Sequence, residues 1–231
     1  MRPNNGGTIA RITSAKNNVT SHFTMIELYT WTTPNGRKVS IMLEECGLPY
    51  HVHKINIGTN SEQFAADYLK INPNGKIPSI VDPQGPDGKP IAMMESGAIL
   101  VYLAGKTGKF LPRSVRGKYE ALQWLMFQMG GVGPMFGQAH HFMRAKKDEI
   151  PYGSERYGAE AKRLYGVMDK HLADHQYFTR EYTIAVIAIY PWVARYEWHR
   201  VDLGQFPNVK RWYDAIGARP AVQKGMAVPQ V

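Results

Sequence analysis

The chain has 231 residues, 44% hydrophobic and 20% charged, which is long enough for two domains that bury a sizeable core. It contains no run of about 18 apolar residues, so no transmembrane helix is expected; its single cysteine, Cys46, excludes an intramolecular disulfide framework and fits a reducing, cytoplasmic compartment. The net charge of +9 favours anionic partners, but the positive residues are scattered without interleaved aromatics, so a small anionic molecule suits the chain better than a nucleic acid.

Residues 1–24 are polar and Asn-rich and carry no apolar segment of the kind a signal peptide needs, so they read as a flexible extension before Met25. From Met25 the pattern alternates. "MIELYTW" has the period-two spacing of a strand, "GRKVSIMLEECGL" the apolar face of a helix, and "YHVHKINI" that of a second strand. "SEQFAADYLKI" is a short helical stretch. "IPSIVD" and "PIAMME" are two short strands around a turn rich in Pro and Gly, and "SGAILVYLAGKTG" closes the half as a helix. This βαβ–ββα order predicts a small α/β domain over 25–108. After the Pro- and charge-containing "GKFLPRSVRG" no strand signal survives, and the helical patterns that follow predict an all-α domain over 109–231.

Three short stretches carry chemistry, each with a plainer reading beside it. In "TTPNGRK", Thr33 before Pro34 suits a helix start, and Thr33 or Asn35 could donate to a sulfur anion at the positive helix end; capping alone explains the same residues. In "NPNGKIPSIVD", a cis Ile77–Pro78 bond would turn the Ile77 backbone outward to pair with a peptide, whereas an edge-strand proline needs no cis bond. In "MMESGAIL", Ser96 reads as a helix N-cap that could also bind a carboxylate, with Glu95 beside it for an ammonium group, so that both ends of an α-amino acid would meet; a plain cap with an exposed Glu is the alternative.

Taken together and in this order, "NPNGKIPSIVD", "ESGAILVYLA" and "PNVKRWYDAIGARPAV" resemble the cytosolic glutathione transferases over Met25 to about Pro220. "TPNGRK", "LQWLMFQMGGVGPMFGQAHHF" and "ERY" resemble the nu class of bacterial members, relatives of the yeast nitrogen-regulation prion protein. The resemblance implies a thioredoxin-like domain followed by a helical one, and homodimerisation. It implies glutathione as bound co-substrate, without a metal, and a small disulfide or electrophile as partner. It puts Thr33 and Asn35 at the glutathione sulfur, Lys76 and the Ile77 backbone along the tripeptide, and Glu95 and Ser96 at its γ-glutamyl end. Gln63 matches another contact, and Arg156, in "ERY", a residue of the helical domain that reaches a second glutathione. The activity implied is glutathione-dependent disulfide reduction or transfer; a non-catalytic glutathione-binding regulator of the same fold is the alternative.

Other features read as structural. Cys46 is expected to be a buried thiol, Trp124, Phe127, Trp192 and Trp198 core, and the adjacent His140 and His141 too divergent for a metal site. "MGGVGPMFG" is expected to bend or kink a long helix at Pro134. One departure from the family pattern stands at Val186, where Asp would complete a capping box with Thr183; Thr183 can still cap, but the missing reciprocal bond is expected to cost about 0.5–2 kcal/mol. "YFTREY" also lacks the expected Gly turn.

Overall fold

The computed structural model describes residues 25–146 and 149–231; the extension expected over 1–24 lies outside the described residues. Strand β1, Ile26–Thr30, alternates buried and half-buried positions and forms the hub of a four-stranded sheet of order β2-β1-β3-β4. Strand β2, Tyr50–Lys54, runs parallel to β1, and β3, Ser79–Asp82, antiparallel to it. Strand β4, Ile91–Met94, pairs antiparallel with β3. Parallel pairing of β1 and β2 requires a crossover, which α1, Pro34–Cys46, supplies. Its N-cap is Thr33, with Pro34 in the first turn, and Gly47 ends it in the left-handed conformation at φ 70°. A 3₁₀ turn at 62–64 and α2, Ala66–Ile71, lead to β3, and α3, Ser96–Thr107, follows β4. This is a thioredoxin-like sheet with its helices.

Everything after α3 is helical: α4 Val115–Phe127, α5 Gly133–His140, α6 Pro151–Leu172, α7 Ile184–Val193, α8 Pro207–Gly217 and α9 Pro220–Met226. All ten residues of α7 are buried, which makes it the axis of the helical half. It packs against α1 and α4, so the core runs without a gap from the sheet into the helices. The C-terminal α9 returns to lie along α1. Ser40 Oγ donates to Gly225 O at 2.7 Å, and a Cβ on Gly225 would stand 2.5 Å from the Ile41 backbone, so only glycine permits the approach. Arg219 clasps Glu45 with bonds of 2.7 and 2.9 Å across the same seam. Among the described residues, no helix is long and apolar enough to cross a membrane.

Two local expectations need correction, at Thr183 and at Ser96. Within "MGGVGPMFG" a π-helical turn at Gln128–Val132 joins α4 to α5, with Gly133 N–H donating to Gln128 O, five residues back. Thr183 stands at the α7 N-cap position, but its hydroxyl pairs with Thr179 Oγ1 at 3.2 Å and caps no N–H; Val186 and Ile187 N–H reach the Thr183 carbonyl instead. Ser96 is the first residue of α3 rather than its cap. The cap position belongs to Glu95, at φ 68°, and makes no side-chain cap bond.

Candidate active site

The N-terminal end of α1 is built from the turn that precedes it. Thr33 Oγ1 accepts the Gly36 N–H at 3.1 Å, which leaves the hydroxyl proton free to donate elsewhere. Gly36 is required here, because a Cβ would stand 2.3 Å from Thr30 Oγ1 and 2.6 Å from Trp31 O. Arg195 donates to Thr32 O at 3.1 Å and pins the turn from the helical half. Trp192 Nε1 donates to Asn35 Oδ1 at 3.0 Å, which turns the Asn35 amide so that its NH₂ is the end left to donate.

A second wall comes from the loop before β3. Asn72, buried at the end of α2, donates to Lys76 O at 2.6 Å and to Ser79 Oγ at 3.1 Å, and its own Oδ1 accepts the Asn74 N–H. The Tyr68 hydroxyl also donates to Lys76 O. Gly75 turns at φ 61°, and the Ile77–Pro78 peptide is cis, the alternative the sequence left open. Thr33, Asn35, Gln63, Lys76 and Ile77 thus line one cavity of about 450 Å³. Gln63 lines the cavity, and its Oε1 is buried with no hydrogen-bond partner among the described residues.

Asn35, Lys76 and Trp192 also border an adjoining cavity of about 780 Å³, which Glu95, Lys38 and Gln128 line. Glu95 adopts its left-handed backbone at the start of α3, where free N–H groups of the first helical turn accumulate. Ser96 does not line this space. It is 4% exposed, and its hydroxyl accepts from Lys38 Nζ at 3.2 Å. Lys38 is the residue that sequence reasoning missed. It is 1% exposed, and Nζ also donates to Gln128 Oε1 at 2.6 Å and meets Met129 Sδ at 3.4 Å. Burial pulls the Lys38 ammonium down to about 7, against the attraction of the Glu95 carboxylate. The available signal was periodicity, since Lys38 falls three and four residues before Ile41 and Met42 on the helix face that packs inward.

The roof of the first cavity is cationic and aromatic. Trp198 lies between two guanidinium groups, Arg144 at 3.4 Å and Arg195 at 3.7 Å from its ring centroid, with His140 stacked obliquely at 4.2 Å. Desolvation, then Arg37 and Arg144, lowers Arg195 to about 10. Burial, then Arg195 and Arg144, lowers His140 to about 4, so the imidazole is neutral at pH 7. Arg195 has no carboxylate partner among the described residues, which leaves an uncompensated positive field over the cavity. Trp192 is buried in the core, as expected, and also lines the cavity; Trp198, expected as core, is a cavity wall, whereas Trp124 packs on Phe127 and Phe178 as expected.

The remaining expected residue stays apart. Arg156 is exposed on α6 and lines a separate cavity of about 480 Å³ with Tyr157, Glu160 and Arg163. Cys46 is buried at the far end of α1, and burial raises its thiol pKa. The helix puts it roughly 18 Å from the Thr33 turn. A sulfur reacting at Thr33 must therefore arrive with a ligand, and what the site offers a sulfur anion is a hydroxyl, an amide, a helix N-terminus and nearby guanidinium groups.

Known proteins share this fold. The signature of the glutathione S-transferase N-terminal domain matches residues 32–106, and that of the C-terminal domain residues 134–220. The disulfide-bond oxidoreductase YfcG of Escherichia coli is 46% identical over 209 residues, covering 90% of this chain and 97% of that protein. A glutathione transferase from Burkholderia graminis, solved with two glutathione molecules per subunit, superposes with a TM-score of 0.85 at 46% identity, over 92% of this chain and 91% of that one. One from Pseudomonas putida, solved with one glutathione disulfide per subunit, gives 0.87 at 46% identity over 91% and 94%. With both signatures matched on a thioredoxin-like sheet followed by a helical unit, the chain belongs to the glutathione S-transferase family.

Proposed function

We propose that the protein is a glutathione-dependent disulfide oxidoreductase of the nu class. The observation that carries this reading is the capped α1 N-terminus, with Thr33 and Asn35 at the mouth of a cavity that contains no protein thiol. Glutathione supplies the sulfur. Thr33 donates its hydroxyl proton and Asn35 its amide N–H to the thiolate; Ile77 pairs with the tripeptide backbone, and Lys76 attracts a carboxylate. Gln63 accepts from a peptide N–H. Glu95 receives the α-ammonium group of the γ-glutamyl end, and the first turn of α3 at Ser96 receives its carboxylate. The Ser96 hydroxyl is already engaged by Lys38, so Ser96 contributes its backbone and holds Lys38 in place.

In the reaction, the bound thiolate attacks one sulfur of a small disulfide, forms a mixed disulfide and expels a thiolate that takes up a proton. A second glutathione thiolate attacks the glutathione sulfur of the mixed disulfide and releases the other thiol. The two glutathiones lose two electrons and two protons and leave as glutathione disulfide; the substrate gains both and leaves as two thiols. The two adjoining cavities give room for two tripeptides, and the relatives solved with two glutathiones or one glutathione disulfide support that occupancy. Arg195, which lines the first cavity, takes the basic role beside the second glutathione, because Arg156 lines its own cavity within the chain.

The same reading gives glutathione binding to residues 25–108, the roof to residues 109–231, and a cytoplasmic location. It also makes the protein a homodimer. Phe64 is 59% exposed, and Val115, Tyr119 and Met126 leave an apolar surface on α4 for a second copy. Sedimentation of Tyr119→Asp tests this, with a shift towards monomer expected. Glutathione-dependent reduction of bis(2-hydroxyethyl) disulfide tests the activity: turnover is expected, with a loss of at least tenfold in Thr33→Ala. Intact glutathione binding without turnover would make the protein a glutathione-binding regulator instead.

A further inference from the structure

A second cluster lies on the opposite side of β1 from the core. His51 and His53 are two apart on β2, so their side chains project from one face of the sheet. Glu27 is the register partner of His51 on β1 and projects from the same face. Glu27 Oε2 stands 3.1 Å from His51 Nδ1 and 2.5 Å from His53 Nε2, and the two ring nitrogens are 3.3 Å apart. We propose that Glu27, His51 and His53 form a binding site for a divalent transition metal ion of the Zn²⁺ class.

Three lone-pair-bearing atoms converge on one point. A neutral imidazole has one N–H. If both histidines donate to Glu27 Oε2, the two N–H groups crowd on one oxygen with their nitrogens 3.3 Å apart; if either does not donate, its lone pair faces the carboxylate. A cation accepts all three lone pairs at once and leaves each ring's N–H on its far nitrogen. Three ligands at about 2.0–2.1 Å around a tetrahedral ion are about 3.3 Å from one another. Two of the three edges already have nearly that length, and only the Glu27–His53 edge must open.

The ligands are held for the purpose. Tyr29 stacks on His53 with centroids 4.4 Å apart and planes 11° from parallel, and His51 meets the edge of His53 at 88°. The three side chains are part-exposed, His51 by 57%, so an ion has an approach from solvent and a free position for water. Two imidazoles and one carboxylate select a borderline ion over Mg²⁺ or Ca²⁺, which prefer oxygen ligands. The histidine pair weighed in the sequence was His140 and His141; the one that converges is separated by a single residue on a strand.

The test is calorimetric titration of the tag-free, chelator-stripped protein with Zn²⁺, beside Co²⁺ titration followed by visible absorption. Binding of one ion per chain is expected, with Co²⁺ bands of low coordination number and no uptake of Mg²⁺. His51→Ala and His53→Ala should each weaken binding by at least about tenfold, and Glu27→Gln should weaken it while both histidines remain. Glutathione binding and far-UV circular dichroism serve as folding controls, since none of the three residues lines the glutathione cavity. Absence of binding up to millimolar Zn²⁺, equal uptake of Mg²⁺, or unchanged affinity in the folded His51→Ala/His53→Ala double variant would overturn the proposal.

Discussion

Replacing Lys38 with methionine probes the buried charge beside the glutathione cavity. The methionine fills most of the stem volume but removes the bond to Gln128 Oε1, and Gln128 Nε2 already lacks a partner. Leaving that buried carbonyl unpaired costs about 1–3 kcal/mol. The opposing effect depends on pH. In the unfolded chain the ammonium holds its proton up to its ordinary value of 10.5, whereas in the folded chain burial brings it to about 7. Between these values the unfolded state binds more protons, so stability rises with pH there and is lost as pH falls towards 7. The slope approaches about 1.4 kcal/mol per pH unit. Starting from a half-protonated site near pH 7, the gain by pH 9 is on the order of 2 kcal/mol. Lys38 is almost wholly enclosed, so solvent screening takes little from this figure. Urea denaturation of both proteins at pH 7, 8 and 9 measures it. The wild type should gain about 2 kcal/mol relative to Lys38→Met over that range; parallel pH profiles would refute a buried, titrating Lys38.

Other consequences follow from single contacts. Arg195→Met removes a charge-assisted bond to Thr32 O and one face of the Trp198 sandwich; KM for an acidic disulfide should rise about tenfold or more, with weaker salt dependence. Cys46→Ala should leave disulfide turnover within about twofold of wild type, since the thiol is buried and, along the helix, roughly 18 Å from the reacting turn; a large loss would implicate a protein sulfur. Val186→Asp puts a carboxylate in the first turn of α7, three residues after Thr183, where a capping box would reach back to the Thr183 backbone N–H. It should stabilise by about 0.5–2 kcal/mol; because Val186 is fully buried, a carboxylate that found no donor would cost stability, so a melting temperature no higher than the wild type's would refute the capping-box reading.

What the sequence made legible was local. Period-two alternation located β1, and Thr33-Pro34 marked the start of α1, because a hydroxyl cap followed by proline is a short-range signal. The start of α3 was misread by one residue because the left-handed Glu95 leaves no trace in side-chain chemistry. "MGGVGPMFG" pointed to an irregular stretch at Pro134, and the irregularity is a π-helical turn at Gln128–Val132 just before it, which periodicity does not show. The candidate site was legible in its loop motifs, and the fold brings Thr33, Asn35 and Lys76 to one cavity and Glu95 to the adjoining one. It was hidden where tertiary packing made it. Lys38 beside Arg37 reads as a solvated helix charge, and nothing local joins Arg195, Trp198 and His140. Arg156 carried a motif but lines a cavity with none of the other candidate residues.

The central claim is that this protein holds a ligand's sulfur as thiolate without a cysteine, tyrosine or serine of its own. Ultraviolet absorbance of the bound glutathione thiolate, titrated against pH, tests it directly. The free thiol titrates near about 8.5. Bound to the wild type it should titrate at least about one pH unit lower, and Thr33→Ala should move it back towards the free value. A bound thiol that titrates like free glutathione in both proteins would contradict the claim.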